Sequence, residues 1–175
     1  MTSTTRHLVL VLGDQLNQDA SAFDNFDPNQ DAVWMAEVDE ESTHVTSAKQ
    51  RTTVFLSAMR HFAADLRAKK WKLHYSTIDE PGNVGTLAGE LERTLVQTRP
   101  TKLIMTAPGD WRVLQSLRSI AKQHALDLEI REDTYFFSTV SEFSKHAASR
   151  KQLRLEFFYR ELRLKTCLLY TSPSP

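Results

Sequence analysis

The chain has 175 residues, 41% of them hydrophobic and 25% charged, with 22 Lys plus Arg balanced by 22 Asp plus Glu. That length sustains a domain with a true core, folding removing about 70% of the unfolded surface from water, and the composition argues against disorder and membrane spanning. Zero net charge gives no long-range pull toward a phosphate backbone, so a nucleic acid would be met through another domain.

Cys167 is the only cysteine. One copy of the chain therefore builds no disulfide framework, paired-cysteine redox centre or cysteine-ligated cluster, which suits a reducing compartment. With no signal-peptide pattern and no apolar run near the ~20 residues that cross a bilayer, the expectation is a cytoplasmic protein with no membrane partner.

The first strand is predicted over residues 7 to 12. Leu8-Val9-Leu10-Val11-Leu12 lacks polar alternation, as in a strand covered on both faces of a parallel sheet, and it stops abruptly at Gly13-Asp14-Gln15. Residues 19 to 31, rich in Asp, Asn and Ser, read as a surface excursion. A second strand is predicted over 32 to 38 and a helix over 49 to 70, where Phe55, Met59, Phe62 and Leu66 share one face. Strands over 72 to 78, 102 to 106 and 126 to 131 alternate with helices over 83 to 97 and 111 to 124. A last helix over 152 to 165 carries Leu155, Phe158, Tyr159 and Leu162 on one side. Strands alternating with crossover helices imply an α/β fold, Rossmann-like or flavodoxin-like, with a parallel sheet of about five strands. Residues 1 to 148 read as one α/β domain and 149 to 166 as the start of a helical connector. Residues 167 to 175 change composition abruptly and read as a non-native tail.

Ligands of open α/β sheets gather beyond the carboxyl ends of the strands. Gly13, Asp14 and Gln15 stand there after the first strand, Asp14 serving either a ligand or backbone N–H groups in a turn. After the second strand come Glu37, Val38 and Glu41, four acids in five residues being mostly solvated. Asp110 is a candidate N-cap, at a helix start that could also receive an anion, and Trp111 a candidate core or interface residue. Gly13 and Gly109 stand alone, which disfavours a dinucleotide or ATP loop. The six histidines show no zinc spacing, and no Ser/His/Asp set follows from position, so neither a metal nor a catalytic residue is expected.

Val9-Leu10-Val11-Leu12-Gly13-Asp14-Gln15-Leu16, Ala36-Glu37-Val38, the stretch from Phe55 to Ala63 (Phe-Leu-Ser-Ala-Met-Arg-His-Phe-Ala) and Pro108-Gly109-Asp110-Trp111-Arg112-Val113 closely resemble the photolyase-related family of prokaryotes. This is the iron-sulfur branch of the cryptochrome/photolyase superfamily, which includes bacterial (6-4) photolyases. Glu156-Phe157-Phe158-Tyr159-Arg160-Glu161-Leu162-Arg163 resembles the end of that family's N-terminal domain. The resemblance implies an antenna domain that binds 6,7-dimethyl-8-ribityllumazine through Gly13, Asp14, Gln15, Glu37, Val38, Glu41 and the loop at His44. It also implies a separate C-terminal helical domain, outside this sequence, that holds FAD, a four-iron cluster and damaged DNA. Two departures stand out: Ala107 replaces an acid common ahead of Pro-Gly-Asp/Glu-Trp-Arg, and His44 replaces a common phenol. Two other readings are a receiver-like signalling module, with Asp14 and Asp79 at strand ends but no lysine closing the fifth strand, and a truncated fragment that binds nothing and self-associates.

Overall fold

The computed structural model describes residues 5–44, 47–148 and 150–166, so the expectation for residues 167 to 175 lies outside the described residues. The apolar runs form β1 (His7–Leu10), β2 (Ala32–Ala36), β3 (Leu73–Ser76), β4 (Lys102–Thr106) and β5 (Asp127–Arg131). All neighbours pair in parallel in the order β3-β2-β1-β4-β5. Between and after them lie α1 (Asp39–Thr43), α2 (Lys49–Ala68), α3 (Leu87–Thr98), α4 (Trp111–Gln123), α5 (Val140–Ala148) and α6 (Leu155–Thr166).

This strand order is the Rossmann order 3-2-1-4-5-6 without its sixth strand and differs from the 2-1-3-4-5 order of flavodoxin-like and receiver sheets. The sheet is therefore Rossmann-like, and the receiver reading fails on topology as well as on its missing lysine. The connection leaving β3 passes β2 and β1 to place β4 on the far side of β1, and the strand order reverses between β1 and β4. The crevice at this switch point is where such sheets take ligands.

Alternation along β1 divides the core. Leu8, Leu10 and Leu12 face a cluster completed by Leu87, Leu91 and Leu95 of α3 and by Val113, Leu117 and Ile120 of α4. Val9 and Val11 face Met59, Phe62 and Leu66 of α2. All five residues of β2 are buried, and the Trp34 indole N–H donates to Thr94 Oγ1 at 3.1 Å. Burying that ring costs no unpaired donor.

Element ends depart from the sequence reading for local reasons. The first strand stops at Leu10, although Val11 N–H still donates to Trp34 O, because Leu12 O turns to accept from Gln15 N–H at 3.0 Å. The helix expected from residue 83 starts at Leu87, since Gly82 and Gly85 take φ of 93° and 75°. Thr86 then caps it, its side chain accepting from Gly89 N–H at 3.2 Å. The excursion of residues 19 to 31 is anchored rather than loose. Phe26 packs on Trp71 with ring centroids 4.5 Å apart, and Arg131 Nη1 donates to the carbonyls of Ser21 and Asp24, each at 2.8 Å. The excursion ends at buried Asp31, which accepts from Arg6 Nε at 2.8 Å, His7 N–H at 3.1 Å and Asp27 N–H at 2.8 Å.

The chain divides after Arg131 into two compact units, so the boundary expected at residue 148 falls inside the second. That unit pairs α5 with α6. Phe143 and Phe158 meet edge to face with centroids 5.1 Å apart, and Glu161 bridges His146 Nδ1 at 2.7 Å and Arg150 Nη2 at 2.6 Å. Among the described residues no helix is long and apolar enough to cross a membrane.

Candidate functional site

A cavity of about 250 Å³ opens at the carboxyl ends of the strands. Leu12, Val38, Met59, Leu87 and Val113 line it with buried apolar surface, and Phe55, Leu56 and Pro108 extend that surface. Asp14, Glu41, Ser42, Ser47, Arg51, Thr52 and Asp110 supply polar groups. An apolar hollow with a few convergent polar groups is the usual form of a small-molecule site.

Of the seven residues singled out from the sequence, Gly13, Asp14, Glu37, Val38 and Glu41 lie on this cavity, whereas Gln15 and His44 do not. Gln15 ties the loop after β1 to the loop after β4, its Nε2 donating to Ala107 O at 2.9 Å, while its Oε1 is buried without a partner among the described residues. His44 closes α1, its N–H donating to Glu40 O at 3.0 Å, and is exposed.

Gly13 is required by closeness of packing. A Cβ there would fall 2.5 Å from ring carbons of Phe55 and 2.8 Å from Met59 Sδ, well inside van der Waals contact. The bare backbone lets the first turns of α2 lie directly against the end of β1, which brings Phe55 to the cavity.

The Glu37 side chain is fully buried and its acceptor positions are taken. Oε1 accepts from Arg60 Nε at 2.8 Å and from the Tyr75 hydroxyl, and Oε2 accepts from Arg60 Nη2 at 2.8 Å and from Ile78 N–H at 3.0 Å. Burial pushes this carboxyl up, but the hydrogen bonds and the guanidinium outweigh it and hold it below the ordinary glutamate range. Burial, with the same hydrogen bond, pushes the Tyr75 hydroxyl well above its usual range. Four donors on two oxygens leave Glu37 little capacity for a ligand, so the geometry makes it an anchor joining β2, α2 and β3 behind the cavity wall.

Asp110 is the N-cap of α4, accepting from Arg112 N–H at 2.7 Å, and this backbone hydrogen bond holds its carboxyl below the ordinary range. Trp111, a candidate for packing by sequence, is exposed. It stands one residue after the cap on the outward side of the first turn of α4. Arg112 instead turns to the acids of α1, Nη1 lying 3.0 Å from Glu40 Oε1 and Nη2 2.9 Å from Glu41 Oε1.

The sequence reading missed Ser42, Ser47, Arg51, Thr52 and Phe55 as cavity residues. One signal was available: the apolar stripe of α2 begins at Phe55, a turn before the first fully buried position, Met59, so its N-terminal end overshoots the core. Among the described residues no three His, Cys, Asp or Glu side chains gather as a metal-binding group.

Comparison with known proteins identifies the family. The chain is 39% identical over 168 residues, 96% of its own length, to a (6-4) photolyase of Agrobacterium fabrum, of which it spans 33%. It also matches the family described as deoxyribodipyrimidine photo-lyase-related protein over residues 9–175. A match that begins within β1 and runs through every strand and helix of the Rossmann-like unit leaves no part of the sheet to another origin, and the chain belongs to the deoxyribodipyrimidine photo-lyase-related family.

Proposed function

We propose that this chain is the N-terminal light-harvesting part of a longer photolyase-related flavoprotein and that its cavity holds 6,7-dimethyl-8-ribityllumazine. The supporting observation is the cavity itself, which sits at the sheet's carboxyl edge and pairs apolar walls with a cluster of hydroxyls and acids. A bicyclic ring would lie against Phe55, Met59 and Leu87, and a ribityl chain would find partners in Asp14, Ser42, Ser47 and Thr52. Val38 would cover part of the ring, Glu41 would bound the pocket, and Glu37 would act by fixing α2. When bound, the lumazine supplies absorption of near-ultraviolet and blue light. The absence of a glycine-rich turn after β1 speaks against a dinucleotide here. FAD, a four-iron cluster and damaged DNA belong, in this reading, to the helical remainder of such a parent, where excitation received from the antenna drives repair of pyrimidine (6-4) photoproducts. No residue of this chain performs that electron transfer. We place the protein in the cytoplasm.

A fluorescence titration of the full chain with the lumazine tests this reading. Saturable binding is expected, weakened about tenfold by Asp14→Ala through loss of a charged hydrogen-bond partner and abolished by Thr52→Trp, which fills the hollow. A well-folded chain whose signal rises only linearly with lumazine overturns the assignment.

A further inference from the structure

We propose that Arg112 is a positioning residue that closes one wall of the cavity electrostatically, by drawing α1 onto the N-terminus of α4. The inference gives a role in the proposed chromophore site to a residue that does not itself line it.

α1 spans five residues and contributes no buried side chain. A single helical turn is not stable by itself; its N-cap Val38 is buried in the core, and the turn beyond that anchor is held by polar ties. One tie runs from Glu40 N–H to Gly85 O at 3.0 Å. The others converge on Arg112, whose guanidinium reaches Glu40 and Glu41 with separate nitrogens and also lies 3.3 Å from Asp110 Oδ2. Glu41 and Asp110 line the cavity, as does Ser42 of the same short helix. Arg112 therefore holds two cavity carboxylates, one from each element, and with them the position of Ser42.

The charges make this arrangement conditional. Asp39, Glu40 and Glu41 occupy the first turn of α1, with Asp110 facing them from α4 and Asp14 also on the cavity. Arg51 brings a second cation to the cavity from α2, but the ion pairs of Glu40, Glu41 and Asp110 are made with Arg112. With the guanidinium present, opposite charges pull α1 inward. With it removed, Glu40 and Glu41 are left facing Asp110, and the repulsion among these acids pushes α1 outward. A planar fork serves several carboxylates at once, which an ammonium does not reproduce.

Salt distinguishes this from a merely structural role, because screening weakens attraction in one protein and repulsion in the other. The readout is the rate at which a neutral maleimide labels a thiol buried on the cavity, Val113→Cys or Leu87→Cys, in a Cys167→Ser background. Opening of α1 exposes both positions, whereas fraying of α4 exposes only the first. Arg112→Gln is expected to speed labelling at both sites about fivefold to tenfold at low salt, the size expected for two or three partly exposed ion pairs. Added salt is expected to speed labelling in the Arg112 protein and slow it in Arg112→Gln, with Arg112→Lys intermediate. Should Arg112→Gln fail to fold, Glu40→Gln with Glu41→Gln carries the same test, with faster labelling and a flattened salt response. Equal rates in all variants, labelling at Val113→Cys alone, or a salt response of one sign throughout overturns the proposal. No chromophore is needed, so this test and the lumazine titration fail independently.

Discussion

Glu37 stands out in the sequence for its position at a strand end, and that position is correct. What sequence does not convey is that Arg60, 23 residues away, and Tyr75, 38 residues away, converge on the same carboxylate. Such partners come together only when the sheet forms, and no local pattern encodes them. Glu37→Gln removes the charge and keeps one acceptor oxygen, but turns the other into an N–H donor set against donors from Arg60 and either the Tyr75 hydroxyl or Ile78 N–H. For a fully buried pair this costs roughly 3–5 kcal/mol, and the half-exposed Arg60 reduces the expectation for Glu37→Gln to about 2 kcal/mol, to be measured by urea unfolding at pH 7. The pH dependence follows from the sign of the shift. The folded carboxyl titrates below its ordinary value, so its contribution is complete above the unfolded glutamate range and is lost as pH falls through the folded one. Between pH 5 and pH 3, on the order of the range set by a glutamate near 4.3, the parent protein is expected to lose stability more steeply than Glu37→Gln. Parallel curves would show that the pair carries no net stabilisation.

The elements most legible in sequence are those with an unbroken pattern. β4 is legible to the residue, and α2 and α4 to within two residues at either end. Less legible are elements defined by their caps. α3 starts late because Gly82 and Gly85 need positive φ, which periodicity does not reveal. α5 escapes the sequence reading although it opens with a capping box, Thr139 Oγ1 accepting from Glu142 N–H at 3.2 Å and Glu142 Oε2 accepting from Thr139 N–H at 3.0 Å. α1 reads only as a run of acids, since nothing apolar marks it. The end of α3 also shows an imperfection in the fold. Arg99 takes φ 44° and ψ 56°, a left-handed conformation that strains a residue with a Cβ and suits glycine. Arg99→Gly is expected to raise stability by about 0.5 kcal/mol, the relief of strain exceeding the added freedom of the unfolded chain. A fall in melting temperature would count against it.

At the scale of the whole molecule the two units differ in what they leave in water. The first buries its sheet between helices. In the second, Tyr135, Phe136, Phe137, Leu155 and Leu164 are each more than 60% exposed and Phe157 is 38% exposed, while Phe158 and Leu162 are half-buried. Surface of this kind favours association. Sedimentation velocity is expected to show a weight-average coefficient that rises with concentration, and Phe136→Ser with Phe137→Ser is expected to reduce the rise. A single monomeric species at high concentration would contradict this.

The side chains around the cavity come from a stretch that begins at Leu12 and ends at Val113. That makes the pocket an indivisible unit of inheritance. A recombination junction placed beyond β5 hands it over whole to any downstream sequence, whereas one placed between β2 and α4 leaves neither half with a pocket. Lineages that exchange the segment after the sheet can therefore keep the same pocket, and the two segments are free to diverge at different speeds.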